Sequence, residues 1–351
     1  MASNTCIYID GREIGDKCSP YFVADLSSNH QQCIEQAKAL IKAAKNSGAD
    51  AVKLQTYTAD TVTLPIRNED FKAKGPWENT YLYDLYKTNY TPWEWYEDLA
   101  DYAKKVGITL FSTPFDESAV DFLETTLQPP IYKISSFEIN HIPLLKRIAQ
   151  TGKPVLLSTE LASENEINEA IETLETNGCK FIVLLKCICA SPANPINFNL
   201  NALQTLKSFH YPVGISDCSL HSAIIMGAIA LGACIVEKHF VLSRKSDTID
   251  GNFSLEPHEF QQMVQEGKTL YQSLGSKEIK LIPQAEKQKK FRRSIYVSQP
   301  IKKGEVFSEK NLKIIRPHFG LHPRYWEKIL GQAAKTDLPF GHPLNERDVT
   351  L

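Results

Sequence analysis

Short runs of apolar residues alternate with helix-like segments from residue 21 to about residue 274. The runs lie at residues 21–26, 51–56, 108–113, 131–136, 154–159, 181–186, 212–217 and 234–239. Their Ile, Val and Leu residues do not alternate with polar ones, which is typical of parallel strands buried on both faces. Eight strand–helix units of this kind predict a (β/α)8 TIM barrel. No GxGxxG or P-loop sequence favours an open doubly wound sheet instead.

The segments between these runs carry helix signals. Residues 31–47 place apolar side chains at helical spacing, and Gly48 follows as a stop signal. Thr91 and Ser163 each begin a capping-box pattern, which predicts a helix start at both positions. A longer insertion, residues 57–90, follows the second strand, where the loops of a barrel build active sites.

The alternation of strand-like and helix-like segments ends near Gly275. Residues 276–290 are rich in Lys and predict a solvated linker. Residues 291–351 contain β-like runs, a Lys-Gly turn and little helical pattern. We therefore expect a barrel domain at 1–275, a linker at 276–290 and a small β-rich domain at 291–351.

Composition and charge narrow the function classes. The 351 residues include 39 Lys and Arg against 41 Asp and Glu, a formal net charge of −2. This balance gives no reason to expect nucleic acid or a membrane surface as a partner. Neither a signal peptide nor an apolar run of about 18 residues is apparent, so we expect a cytoplasmic protein. The eight cysteines lack framework spacing and are expected to be free thiols.

Polar side chains cluster at the ends of the predicted strands, where barrel enzymes place their chemistry. A single hydroxyl there is commonly a helix cap, and a single lysine is commonly a solvated charge. Lys53 and Lys133, however, interrupt strands that should be buried, and a buried ammonium needs an anionic partner. Two such lysines near several hydroxyls predict a site for a phosphate and a carboxylate together.

Several motifs carry a resemblance to a known family. They are ADLSSNH (24–30), GADAVKLQTYTADTVTL (48–64), YTPWEWYEDLADYAKKVG (90–107), FSTPFDESAVDFLE (111–124), YKISSFEINHIPLL (132–145), EKHF (237–240), FSLEPHEF (253–260) and RRSIYV (292–297). With them the chain resembles the sialic acid synthase family, most closely its pseudaminic acid synthase branch. The stretch RPHFGLHPRYWEKILG (316–331) resembles the antifreeze-like (SAF) domain of that family.

The resemblance implies a C–C bond-forming transferase. Phosphoenolpyruvate would attack the aldehyde of an N-acetylated amino sugar through its C3. Water would add at C2, and phosphate would leave by C–O cleavage. The expected acceptor is 2,4-diacetamido-2,4,6-trideoxy-L-altrose, which gives pseudaminic acid. A divalent metal, Mn or Mg, would polarise the aldehyde.

The same resemblance assigns roles to residues. Those expected to hold the phosphate and carboxylate of phosphoenolpyruvate are Lys53, Thr113, Lys133, Ser136, Ser158 and Ser216. Asp25, Gln55 and Glu138 are the expected catalytic residues, and Asp250 should face the sugar. Arg316 should reach the barrel of a partner subunit, which implies a domain-swapped homodimer. His239 is the expected metal ligand.

Four departures from the family pattern fall at the proposed active site. Glu160 replaces the glycine of an STG motif and adds a carboxylate near the proposed phosphate site. Asp25 replaces a glutamate and is one methylene shorter. Cys218 replaces a histidine ligand, which makes Zn or Co a candidate beside the harder cations. Residues 187–192 lose hydroxyl and aromatic side chains that the family has after its sixth strand.

Two alternatives to an active synthase stay open, and only the first rests on these departures. One is a catalytically impaired homologue that binds ligand or regulates a paralogue. The other is a lyase or aldolase that uses a lysine Schiff base, which the hydroxyls around the lysines disfavour.

Overall fold

The computed structural model describes residues 6–74, 77–78, 80–188, 193–246 and 248–351. The chain divides into two compact units, one that ends at Gly275 and one that comprises Ser276–Leu351. None of the described helices is long and apolar enough to cross a membrane.

The first unit is a closed barrel of eight parallel strands, as the sequence predicts. The strands are β3 (Tyr21–Asp25), β4 (Ala51–Thr56), β5 (Thr109–Pro114), β6 (Tyr132–Ile134), β7 (Val155–Ser158), β8 (Ile182–Ile188), β9 (Val213–Asp217) and β10 (Ile235–His239). Each strand pairs with the next along the chain, and β10 closes the barrel on β3. A hairpin of β1 (Cys6–Ile9) and β2 (Arg12–Gly15) precedes them.

Helices connect the strands and follow the barrel to the end of the unit. They are α1 (Ile34–Asn46), α2 (Ala59–Val62), α3 (Leu82–Asn89), α4 (Tyr96–Val106), α5 (Glu117–Thr126), α6 (Ile142–Ala149), α7 (Glu164–Thr176), α8 (Ala202–Lys207), α9 (Ser222–Ala230) and α10 (Pro257–Leu274). The predicted capping box at Ser163 is present. The one at Thr91 was wrong. A 3₁₀ turn over Trp93–Trp95 precedes α4, and the Thr91 hydroxyl instead lies 3.2 Å from the His30 imidazole.

The inward side chains of the strands change from apolar to polar along each strand. Val23 precedes Asp25, Phe111 precedes Thr113, and Leu156 precedes Ser158, each two residues apart on one face. The apolar members pack with Ile7, Ile9 and Ile14 of the hairpin in one buried cluster. Since apolar side chains fill the amino-terminal end of the barrel, the polar ones are collected at its carboxyl end.

The second unit is small and has few regular strands. β11 (Ser294–Val297) pairs antiparallel with β12 (Leu312–Ile315), and isolated bridges extend this pairing. The buried cluster that includes Ile295, Phe307 and Leu344 forms its core. Two short helices, α11 (Pro283–Gln288) and α12 (Trp326–Ile329), belong to it. The predicted linker is largely exposed, but it contains α11 and is therefore not wholly extended.

Candidate active site

A cavity of about 490 Å³ opens at the carboxyl ends of the barrel strands. It brings together every predicted site residue except Glu138 and Arg316. The predicted residues that line it are Asp25, Lys53, Gln55, Thr113, Lys133, Ser136, Ser158, Ser216, Cys218, His239 and Asp250. Residues far apart in sequence meet here because every parallel strand delivers its last inward side chains to one end of the barrel.

A buried network of charges forms the floor of the cavity. The Lys53 ammonium lies 2.9 Å from Asp25 Oδ2 and 3.0 Å from Glu237 Oε1. The Lys133 ammonium lies 3.4 Å from the same Glu237 oxygen. Burial alone would lower the pKa of Lys53, but Asp25 and Glu237 outweigh it and raise that pKa above its ordinary value. Lys53 is therefore a protonated cation and a poor amine nucleophile.

Glu237 joins the two lysines and was missed as a site residue in the sequence. Burial favours its neutral form, but the ammonium groups of Lys133 and Lys53 outweigh it and lower the pKa of Glu237 to about 2. The Ser216 hydroxyl donates to Glu237 Oε1 at 2.8 Å, whereas the buried Oε2 has no hydrogen-bond partner among the described residues. The sequence does carry a signal for Glu237, because it is a charged residue within the apolar run 234–239, as Lys53 and Lys133 are within theirs.

Hydroxyl groups surround this network. Thr113 Oγ1 is buried without a hydrogen-bond partner in the part of the chain that the structure describes. The Cys187 thiol donates to Ser158 Oγ at 2.9 Å. The Ser136 hydroxyl accepts a hydrogen bond from the Glu160 backbone N–H at 3.3 Å. Two ammonium groups and these hydroxyls together offer the donors that a phosphate and a carboxylate need.

A second polar group lies on the wall formed by β3, β4 and the loop after β10. Gln55 Nε2 donates to Ser27 Oγ at 3.1 Å, and the Ser27 hydroxyl donates to Asp250. Burial raises the pKa of Asp250, and His239 and Ser27 oppose this only in part. His239 Nε2 lies 3.7 Å from Asp25 Oδ2. Gln55, Ser27 and Asp250 thus form a connected group beside the charged floor.

The structure places Glu138 and Arg316 elsewhere. Glu138 accepts a hydrogen bond from Ser135, which does line the barrel cavity. Burial raises the pKa of Glu138, with Ser135 and Lys133 acting in the opposite direction. Arg316 belongs to the second unit, where it lines a separate cavity of about 670 Å³ with Arg292, Arg293 and His322.

The two predicted metal ligands line the same cavity but do not fit equally. Among the described residues, no group of three or more His, Cys, Asp or Glu is arranged to hold a metal ion. The buried Nδ1 of His239 has no hydrogen-bond partner there, which fits a ligand. Burial and the nearby Asp217 raise the pKa of Cys218, so it is a thiol, whereas a metal ligand must be the thiolate. Of the two side chains, His239 therefore fits a metal ligand, whereas Cys218 in its thiol form does not.

The remodelled stretch after the sixth barrel strand is only partly described. Cys187 and Ile188 end β8, and Cys187 lies in the cavity wall. Residues 189–192 lie outside the described residues.

Comparisons with known proteins agree with this architecture. Residues 40–279 match the NeuB family, and residues 292–350 match the SAF domain. A pseudaminic acid synthase of Campylobacter jejuni is 41% identical over 330 residues, covering 93% of this chain and 96% of that protein. One of Helicobacter pylori is 39% identical over 333 residues, covering 94% and 98%.

A solved structure has a similar fold. The N-acetylneuraminic acid (sialic acid) synthetase of Leptospira borgpetersenii, in complex with citrate, superposes with a TM-score of 0.72 at 30% identity. The match covers 81% of this chain and 94% of that one.

Proposed function

The chain belongs to the NeuB family, and on that premise we propose that it condenses phosphoenolpyruvate with an N-acetylated amino-sugar aldehyde. The observation that carries this proposal is the buried pair Lys53 and Lys133, bridged by Glu237 and surrounded by hydroxyls. The product would be a nonulosonic acid, and phosphate would be released. The relatives named pseudaminic acid synthase support pseudaminic acid as that product.

Lys53 and Lys133 would bind the anionic groups of phosphoenolpyruvate. In the structure Glu237 neutralises both lysines, so an anionic substrate competes with one carboxylate oxygen for them. The Thr113 hydroxyl, which has no hydrogen-bond partner among the described residues, is a donor that needs no rearrangement. Phosphate would then depart from a site where fixed cations stabilise its negative charge.

The group formed by Gln55, Ser27 and Asp250 would orient the aldehyde and its neighbouring hydroxyls. Its members are held by hydrogen bonds to one another before substrate arrives. Asp25, held 2.9 Å from Lys53, lies between the anion site and His239. It would position the water that adds at C2. Glu138 would act through Ser135, to which it is hydrogen-bonded.

A divalent cation is part of the proposal, with His239 as its protein ligand. When bound, Mn²⁺ or Mg²⁺ would polarise the aldehyde oxygen as a Lewis acid. Cys218 would become a ligand only after losing its proton, which the raised pKa disfavours. A thiolate at this position would suit Zn²⁺ or Co²⁺.

Arg316 would complete the site in a domain-swapped homodimer. It lines a cavity with Arg292, Arg293 and His322, and no acidic side chain is among the described residues that line it. Such a cationic surface suits an acidic or oxygen-rich partner surface, and a guanidinium recognises carbonyl and carboxylate groups in two-point contacts. A partner's barrel mouth with its sugar substrate would be such a surface.

Phosphate release tests the proposal. The protein is incubated with phosphoenolpyruvate, Mn²⁺ and a panel of 2-acetamido sugars that includes 2,4-diacetamido-2,4,6-trideoxy-L-altrose. We expect inorganic phosphate only when both substrates are present. Binding of phosphoenolpyruvate without phosphate release from any sugar would favour the catalytically impaired homologue, for which Cys218 in place of a histidine ligand is the specific observation.

A lysine Schiff base is a weaker candidate. The raised pKa of Lys53 keeps its amine protonated, and a Schiff base requires the free amine. Borohydride in the presence of pyruvate should therefore leave the mass of the protein unchanged.

A further inference from the structure

The cavity has two chemically different parts. The strand ends supply charges and hydroxyls, whereas the insertion after β4 supplies an apolar wall. That wall includes Leu82, Leu85 and Tyr86 of α3, and Phe115 and Phe253 line the same cavity. The charged floor suits phosphoenolpyruvate and the polar group of Gln55, Ser27 and Asp250 suits the sugar's oxygens, which leaves the apolar wall for an apolar edge of the sugar.

The wall follows from the residue spacing in α3. Leu82, Leu85, Tyr86 and Asn89 recur at i, i+3, i+4 and i+7, so they occupy one face of the helix, and all four line the cavity. The other face is polar. There Asp84 pairs with Arg67 at 3.0 Å.

These apolar side chains are not packed in the barrel core. None of the residues of α3 is fully buried, and Leu82, Leu85 and Tyr86 belong to neither the buried clusters nor the apolar side chains packed against the largest one. An apolar stripe that faces a cavity rather than the core is available to an apolar ligand surface. Covering it with such a surface is favourable because the stripe is otherwise in contact with water.

The wall is tied to the chemistry of the barrel. The Asn89 carbonyl, at the end of α3, accepts hydrogen bonds from the Tyr57 hydroxyl at 2.9 Å and from Ser28. The Tyr57 ring contacts the rings of Tyr86 and Phe115, with centroid separations of 5.5 and 4.9 Å. Ser28 and Tyr57 follow the strands that carry Asp25 and Lys53. The stripe is therefore held at a fixed position relative to the charged floor.

We infer that Leu82, Leu85 and Tyr86 form the specificity subsite for the methyl-bearing edge of the acceptor sugar. The groups that fit this wall are the methyl of an acetamido substituent and a deoxygenated C6. The acceptor that the proposed function names carries both groups. This inference rests on the proposed function and names the side chains that select its substrate.

The expected preference for a 6-deoxy sugar follows from the cost of placing a hydroxyl against an apolar wall. A hexosamine with a C6 hydroxyl would place that hydroxyl against carbon atoms and lose hydrogen bonds to water. Apolar pockets discriminate against such an added hydroxyl by factors of up to about 100. We therefore expect about 10- to 100-fold preference for the deoxy sugar.

The test compares the binding of two sugars by titration calorimetry. The probes are 2,4-diacetamido-2,4,6-trideoxy-L-altrose and N-acetylmannosamine, titrated into the full chain without phosphoenolpyruvate. In the wild type the first should bind about 10- to 100-fold tighter. Leu85→Asn, similar in size but polar, should reduce that ratio to about threefold or less, mainly by weakening the first sugar.

Two further variants control for folding and for the position on the helix. Leu85→Met keeps an apolar surface and should keep the wild-type ratio. Lys87→Gln lies on the exposed face of the same helix and should also keep it. An unchanged ratio in Leu85→Asn, or equal binding of both sugars by the wild type, overturns the inference. We would expect such a result if the stripe were covered by an apolar side chain from a second copy of this chain.

The readout separates this inference from the proposed function. Binding of phosphoenolpyruvate, titrated alone, depends on Lys53 and Lys133 and not on the α3 stripe. If phosphoenolpyruvate does not bind, the proposed function fails, while the ratio of the two sugars still decides the inference.

Discussion

Replacing Lys53 with Met removes one cation from the buried network while keeping the length and apolar character of the side chain. The Lys53 ammonium is 2.9 Å from Asp25 and 3.0 Å from Glu237, and all three side chains are about 5% exposed or less. After the change Glu237 keeps Lys133 at 3.4 Å and the Ser216 hydroxyl. Among the described residues, Asp25 keeps the Ser27 backbone N–H and the His239 imidazole. The loss therefore falls mainly on Asp25.

The expected loss of stability follows from the partners that Glu237 and Asp25 keep. Removing one partner of a buried ion pair costs about 3–5 kcal/mol. Because Glu237 stays paired, we expect the free energy of unfolding of Lys53→Met to fall by about 3 kcal/mol, the lower end of that range. Adding Asp25→Asn removes the unpaired charge and should restore about 1–2 kcal/mol of that loss.

Two assays follow the same variants. Urea unfolding monitored by far-ultraviolet circular dichroism gives the free energy of unfolding. Calorimetric titration with phosphoenolpyruvate should give no binding for Lys53→Met or for the double variant, since neither restores the cation. Unchanged phosphoenolpyruvate affinity in Lys53→Met would refute the assignment. A stability loss below about 1 kcal/mol, the value typical of a solvated pair, would refute the buried network.

Three further predictions concern other residues. Arg316→Ala should raise the KM for the acceptor sugar about 10- to 100-fold without changing that for phosphoenolpyruvate, with Arg347→Ala as a control that should change neither. Burial lowers the pKa of His30 to about 4, so this side chain should contribute a loss of about 3 kcal/mol of stability as the pH falls from about 6.5 to about 4, because the unfolded state binds the proton more tightly. His30→Asn should flatten this pH profile, and an identical profile would contradict it. Because the resemblance expects a histidine ligand at the position of Cys218, Cys218→His should tighten Mn²⁺ binding measured by calorimetry, and unchanged Mn²⁺ binding would contradict the assignment of this position to the metal site.

The sequence predicts the barrel because its signal is local and repeated. Each apolar run is long enough to define a strand, and the observed strands β3 to β10 begin and end within two residues of the predicted bounds in every case. Lys53 and Lys133 were identifiable for the same reason, because a charge in such a run has no local explanation. The parallel arrangement then required their side chains to meet at one end of the barrel.

Other features depend on contacts that the sequence does not contain. Thr91 has the residues of a helix cap, but its hydroxyl contacts His30, which is brought there by the loop after β3. The bridging role of Glu237 depends on the register of β10 against β9 and β3. The α3 stripe has a visible helical spacing, but whether it faces the core or a cavity depends on how the insertion folds back onto Tyr57.

The fate of one oxygen atom tests the central claim most directly. Phosphoenolpyruvate labelled with ¹⁸O at the oxygen that joins C2 to phosphorus is incubated with the protein, Mn²⁺ and 2,4-diacetamido-2,4,6-trideoxy-L-altrose. The released phosphate is then analysed by mass spectrometry. We predict phosphate that carries the label, released only when the sugar is present, because the C–O bond breaks after C–C bond formation. Unlabelled phosphate, or no phosphate release from both substrates together, would contradict the account.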